Sequence, residues 1–163
     1  MELIERDEYF DLLQTHFNNV AEGEGHCVFV SGEAGIGKTA LIKSFCKKHA
    51  DDCLIYQGAC DALFTPRPLA PLYDILWQVN NNRWALSPSV EERPSLFANF
   101  FQELSTKKEK LLIVFEDIHW ADEGTLDFIK FFARRISQLH CLFILTYRDD
   151  EIHSRHPLRN VLG

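Results

Sequence analysis

The chain has 163 residues, 46% of them hydrophobic, with a formal net charge of −7 and a pI near 5.4. That is enough for one globular unit burying on the order of 70% of its unfolded surface, and the acidic balance argues against a broad phosphate-backbone surface, so direct nucleic-acid binding by this segment is not expected. No apolar run approaches the ~18 residues of a membrane span, and the acidic start Met1-Glu2-Leu3-Ile4-Glu5 does not read as a secretory signal, so a cytoplasmic location without membrane contact is expected.

Residues 7–21 carry Phe10, Leu13, Phe17, Val20 and Ala21 at helical spacing. A short β-rich run, Cys27-Val28-Phe29-Val30, follows as a buried strand. It leads into Gly32-Glu33-Ala34-Gly35-Ile36-Gly37-Lys38-Thr39, whose glycines, lysine and hydroxyl residue fit the phosphate-binding loop pattern. Glycines at 32, 35 and 37 let backbone N–H groups approach phosphate oxygens with no Cβ in the way. From Ala40 a helix with Leu41, Ile42 and Phe45 on one face adds the positive end of its dipole. Lys38 is expected to bridge the β and γ phosphates, and Thr39 to ligate Mg²⁺. A glycine-rich turn would need neither residue.

Cys53-Leu54-Ile55-Tyr56 reads as a second strand. Prolines 66, 68 and 71 argue against regular structure over residues 62–72, after which an amphipathic helix runs through Tyr73, Leu76, Trp77 and Val79. The polar stretch 80–93 reads as a mobile loop before a helix near residues 95–104. The third strand, Leu111-Leu112-Ile113-Val114-Phe115, is continuously apolar, as a strand buried on both faces should be, and ends in Glu116-Asp117. Downstream of a phosphate loop, one such carboxylate holds Mg²⁺ and the other polarises the attacking water. Glu116 is assigned to the metal and Asp117 to the water, with the exchanged order open. Asp122 is placed to cap a helix from Glu123 through Leu126, Ile129 and Ala133, with Trp120 wedging it against the sheet. His119 and Trp120 read as packing residues. A fourth strand, Leu142-Phe143-Ile144-Leu145-Thr146, ends in Tyr147-Arg148; Arg148 is either a sensor of the γ-phosphate or a surface arginine paired with Asp149 or Asp150. Only a short helix is expected near the end of the chain. Cysteines 27, 46, 53, 60 and 141 are odd in number and scattered, and read as reduced, mostly buried thiols.

Three segments carry a family resemblance: Val114-Phe115-Glu116-Asp117-Ile118-His119-Trp120-Ala121-Asp122, the proline-rich stretch from Gly58 to Leu72, and Leu145-Thr146-Tyr147-Arg148-Asp149-Asp150-Glu151. They resemble the ATPase domain of large ATP-binding transcriptional regulators of the LuxR type, related to AAA+ proteins and the signalling ATPases called STAND. The opening Leu3-Ile4-Glu5-Arg6-Asp7-Glu8 is similar to the family's entry motif, with Glu5 where glycine is common, and the resemblance places Arg6 near the nucleotide base. It also suggests that His119 relays the nucleotide state. It implies an α/β fold, a three-layer P-loop NTPase sandwich with a parallel sheet of the additional-strand type in order 5-1-4-3-2. The chain is expected to be one domain over residues 1–163, lacking the last strand and the helical lid, as a piece of a longer multidomain protein.

Two functions fit these residues: a regulatory ATPase that switches between ATP and ADP with Mg²⁺ and turns over slowly, and a self-sufficient ATP-hydrolysing enzyme. Because an arginine supplied in trans can be worth 10³ to 10⁵ in rate, a switch reporting to downstream domains or neighbouring subunits is favoured. A small-molecule kinase would need a basic lid that the acidic tail lacks, and a GTPase would need an Asn-Lys-x-Asp motif that is absent from the sequence.

Overall fold

The computed structural model describes residues 2–20, 24–32, 37–62, 68–80, 91–152 and 155–162, with the main chain alone at 2–7 and 80. Four strands, β1 (His26–Ser31), β2 (Cys53–Ala59), β3 (Lys110–Glu116) and β4 (Cys141–Tyr147), form one sheet in the order β1-β4-β3-β2. All three pairings are parallel. This is the expected 5-1-4-3-2 order without a fifth strand among the described residues.

Alternation within the two central strands builds the layers, because successive side chains leave a strand on opposite faces. Leu111, Ile113, Phe115, Cys141, Phe143 and Leu145 point to one face, against α3 (Ala70–Asn80), α4 (Arg93–Ser105) and α5 (Glu123–Arg135). Leu112, Val114, Leu142 and Ile144 point to the other, against α1 (Glu2–Val20) and α2 (Lys38–Lys48). The product is a three-layer α/β sandwich with two apolar cores. β1 is an edge strand among the described residues and is accordingly only half-buried, whereas the β3 and β4 interiors are sealed on both faces.

Several expectations are corrected. Helix α1 starts at Glu2, five residues ahead of the expected Asp7, and α3 starts at Ala70 inside the stretch expected to lack regular structure. Pro71 occupies the first turn of α3, where its missing N–H is no loss. Trp77 is 66% exposed, because the inward face of α3 is Leu72, Ile75 and Leu76. The loop expected at 80–93 lies mostly outside the described residues, although Arg93 already opens α4. Gly58 admits the start of α3 onto β2, since a Cβ there would come within 2.3 Å of the Pro71 carbonyl oxygen. A short α6 (Arg159–Leu162) follows, as expected near the end. No described helix is long and apolar enough to cross a membrane.

Cys46, Cys60 and Cys141 are buried, Cys27 and Cys53 half-buried, and all five are free. Burial pushes the Cys27 and Cys60 thiols up to about 12 and those of Cys46 and Cys53 up to about 11. None is poised as a nucleophile.

Candidate functional site at the strand tips

Parallel pairing brings the C-terminal ends of all four strands to one edge of the sheet, the edge at which open α/β sheets bind ligands. At the β1 end, Gly32 is buried, and the chain is described again from Gly37, the N-cap of α2. Glu33, Ala34, Gly35 and Ile36 lie outside the described residues, as does the side chain of Arg6. Gly37 has φ 95° and ψ 16°, a left-handed conformation that glycine alone adopts without strain, and its missing Cβ faces open space. Its carbonyl accepts the Leu41 amide at 2.9 Å, so the helix begins at once with Lys38, Thr39 and Ala40 in its first turn. Lys38 Nζ donates to the Gly32 carbonyl at 2.7 Å, which ties the two ends of the 32–39 motif together.

The two carboxylates at the β3 tip are held differently. Glu116 is half-buried, and its pKa is raised, first by burial and then by the neighbouring Asp117, with a hydrogen bond from the Thr39 side chain acting in the opposite direction. The hydroxyl of the α2 first turn and the carboxylate of the β3 tip are thus in contact. Asp117 has φ 58° and ψ 45°, one of two non-glycine residues with positive φ among the described residues, and its amide donates to the Thr146 hydroxyl on β4 at 3.0 Å. Thr146 is 2% exposed and had no distinguishing mark in the sequence beyond closing an apolar strand.

Arg148 follows the β4 tip. Its guanidinium lies 3.4 Å from Glu151 and 3.8 Å from Asp150, and its Nε is buried without a hydrogen-bond partner. Pairing with Asp150 was one expected alternative; the Glu151 contact was not foreseen, and no ion pair to Asp149 is among the described contacts. The Arg148 amide donates to Nδ1 of His119 at 3.2 Å. His119 lies in a 3-10 turn, Ile118–Trp120, and is buried, which agrees with packing, but Trp120 is 36% exposed and lies against the His119 ring at 4.9 Å. Trp120 therefore does not wedge α5 against the sheet; Phe128, Ile129 and Phe132 of α5 itself fill that space.

Asp122 caps α5 as expected, accepting the amides of Gly124 at 3.0 Å and Thr125 at 3.3 Å and the Thr125 hydroxyl. Unforeseen is its fourth donor. The amide of Leu69, 53 residues upstream, reaches both carboxylate oxygens at 3.2 Å. Leu69 is 1% exposed and has φ 58°, the other non-glycine residue with positive φ among those described, so Asp122 holds a strained turn in place. The Cys60 amide also donates to the Glu116 carbonyl at 2.9 Å. The proline-rich and β3-tip segments that carry the resemblance are thereby joined at both ends. Asp122→Ala should lower stability by about 2–4 kcal/mol, combining a lost N-cap with an orphaned buried amide. The expected fall in melting temperature is about 4–16 °C. Thermal denaturation checks this, and Asp122→Asn, which keeps one acceptor oxygen, should recover part of the loss; an unchanged midpoint in the alanine variant would refute the role.

Comparison with known proteins agrees with this architecture. The family model described as AAA ATPase domain matches residues 2–144. Over 87 residues the chain is 32% identical to hybrid signal transduction histidine kinase G of Dictyostelium discoideum, covering 53% of this chain and 2% of that protein. Among solved structures it superposes on Cdc6p from Pyrobaculum aerophilum with a TM-score of 0.66 at 17% identity, over 97% of this chain and 43% of that one. It superposes on a chain of Drosophila ORC bound to DNA with a TM-score of 0.57 at 13% identity, over 96% of this chain and 81% of that one. The chain thus spans a small fraction of the curated relative and under half of the Cdc6p chain, and the two structural likenesses show the fold: the P-loop AAA+ sandwich. With the family matched across most of its length, the chain belongs to the AAA ATPase domain family.

Proposed function

We propose that this chain is the Mg²⁺-ATP-binding domain of a cytoplasmic signalling or transcriptional regulator of the LuxR and STAND type, a nucleotide-dependent switch with slow hydrolysis. The observation that carries the reading is the contact between the Thr39 hydroxyl and the half-buried Glu116 carboxylate, immediately beside Lys38. A hydroxyl and a carboxylate are the hard oxygen donors that suit Mg²⁺, which keeps several waters and completes its shell with phosphate oxygens. The pKa of Glu116, raised by burial and by Asp117, is what a nearby cation would relieve. The residues present therefore fit the ion, with Thr39 and Glu116 as its protein ligands.

When bound, Mg²⁺ supplies charge neutralisation at the β and γ phosphates. The chain's own residues do the rest in this reading. Gly32, Glu33, Ala34, Gly35, Ile36 and Gly37 cradle the phosphates with backbone N–H groups, together with Lys38, Thr39 and Ala40 at the start of α2. Lys38 exchanges its Gly32 carbonyl for phosphate oxygens, Asp117 orients the attacking water, Arg148 senses the γ-phosphate, and Arg6 lies near the base. The partial likeness to a signalling histidine kinase supports a regulatory setting. Downstream domains of a longer chain, or neighbouring subunits, are the partners that would read the nucleotide state.

The test is calorimetric titration of the chain with ATP, ADP and GTP, with and without Mg²⁺, followed by phosphate release on the same sample. The expected outcome is adenine-selective, Mg²⁺-dependent binding with little release. Brisk release would replace the switch with a self-sufficient ATPase, and no binding would overturn the nucleotide site.

A further inference from the structure

Among the described residues β2 is the edge of the sheet opposite β1, and the outer side of an edge strand is a template for pairing with another chain. Its own sequence carries none of the usual deterrents. Cys53-Leu54-Ile55-Tyr56-Gln57-Gly58-Ala59 has no charged residue and no proline, and its first four residues are the apolar and aromatic kind that favour strand addition. Whatever guards this edge must come from outside the strand.

Two polar residues of α3, one turn apart, reach that outer side. The Gln57 amide donates to Oε1 of Gln78 at 3.1 Å, and Nε2 of Gln78 donates back to the Gln57 carbonyl at 2.8 Å. One side-chain amide thus answers both backbone groups of one residue, as the opposite residue of a hydrogen-bonded antiparallel pair would. Nε2 also donates to the Asp74 carbonyl at 3.0 Å, which steadies the side chain against its own helix. Because a backbone amide can only donate, the oxygen and nitrogen of Gln78 cannot be exchanged. Two residues along the strand, the Ala59 amide donates to the Asp74 carboxylate at 3.3 Å. Gln57 and Gln78 are both exposed, so water could satisfy these groups as well, and burial does not account for the pairing.

We propose that Gln78 is a strand surrogate: with the Asp74 carboxylate, its amide occupies the outer side of β2 and keeps that strand from pairing with β2 of a second copy of the chain. Two copies related by a two-fold axis present the same edge to each other, so β2 would meet β2 antiparallel and the two sheets would become one. A ladder through Gln57 and Ala59 cannot form while α3 holds their amides. Only the run from Cys53 to Tyr56 is then left, and so short a two-stranded contact is not stable by itself. The guard is independent of nucleotide.

The experiment compares wild type, Gln78→Ala and Gln78→Lys by sedimentation velocity across a concentration series, with amide hydrogen exchange and thermal melting on each. Alanine removes the surrogate and leaves the edge uncharged, whereas lysine also loses the paired bonds but sets beside the edge a charge of the kind that deters strand addition. At low concentration the Gln57 amide should exchange about 2- to 10-fold faster in both variants. Gln78→Ala should self-associate at lower concentration than the wild type, with the Ile55 and Gln57 amides regaining protection as the concentration rises. Gln78→Lys should sediment like the wild type while its Gln57 amide stays exposed. If Gln78→Ala melts lower and exchanges faster but sediments like the wild type at every concentration, Gln78 is only a brace between α3 and β2, and the proposal is overturned. Association that protects β1 amides in place of those of β2, or equal association of the alanine and lysine variants, would overturn it too. Should the alanine variant not fold, Gln78→Asn, whose amide stops one bond short of Gln57, carries the same comparison.

Discussion

Lys38→Ala should remove Mg²⁺-ATP affinity by about 30- to 3,000-fold while leaving the fold intact. The range follows from the about 2–5 kcal/mol lost when one partner of a desolvated, hydrogen-bonded charge pair is truncated, at about 1.4 kcal/mol per tenfold. In the nucleotide-free chain the ammonium donates to the Gly32 carbonyl at 2.7 Å. That contact holds the lysine across the 32–39 motif, where phosphate oxygens would compete for it with full negative charge. Lys38 is half-exposed in the first turn of α2, while the residues that anchor the helix are Leu41, Ile42, Phe45 and Cys46. Removing the lysine therefore costs little stability. Calorimetry with ATP and a thermal melt on the same variant separate the two effects, and unchanged ATP affinity would remove the phosphate-loop assignment.

What the sequence disclosed depended on how local each feature is. β3 and β4 were readable because a strand sealed on both faces is written as an unbroken apolar run, and the layers then follow from simple alternation. The cap at Asp122 was readable because a cap is set by residues two and three positions away. Its bond to Leu69 was not, since nothing at position 69 marks a left-handed leucine whose only signature is a partner 53 residues on. The early start of α1 was hidden because Glu2, Glu5, Arg6, Asp7 and Glu8 give no apolar period. Trp77 and Trp120 misled for one reason: large apolar side chains were assigned inward, yet each neighbours smaller residues that fill the core instead. In the candidate site, the motif residues were named from the sequence, whereas Thr146 and the acceptor nitrogen of His119 come into view only when two strand tips are laid side by side.

Asp117→Asn should leave nucleotide binding and stability intact and lower phosphate release by about 10²-fold or more, to the buffer background. The backbone explains why asparagine is the informative substitution. Asp117 is left-handed, with φ 58°, and asparagine accepts that conformation while alanine would add about 1–2 kcal/mol of strain. Its amide bond to Thr146 involves no side-chain atom of residue 117 and survives the change. Any lost turnover in the asparagine variant would then belong to the carboxylate alone. Glu116 is the carboxylate in contact with Thr39, the hydroxyl expected to share the metal, so Glu116→Gln should instead abolish the Mg²⁺ dependence of ATP binding. Mg²⁺-dependent binding that survives in Glu116→Gln and disappears in Asp117→Asn would exchange the two roles. In that case the Thr39 contact would serve only to hold the half-buried Glu116 in place, and the left-handed turn at Asp117 would be what carries a carboxylate to the metal.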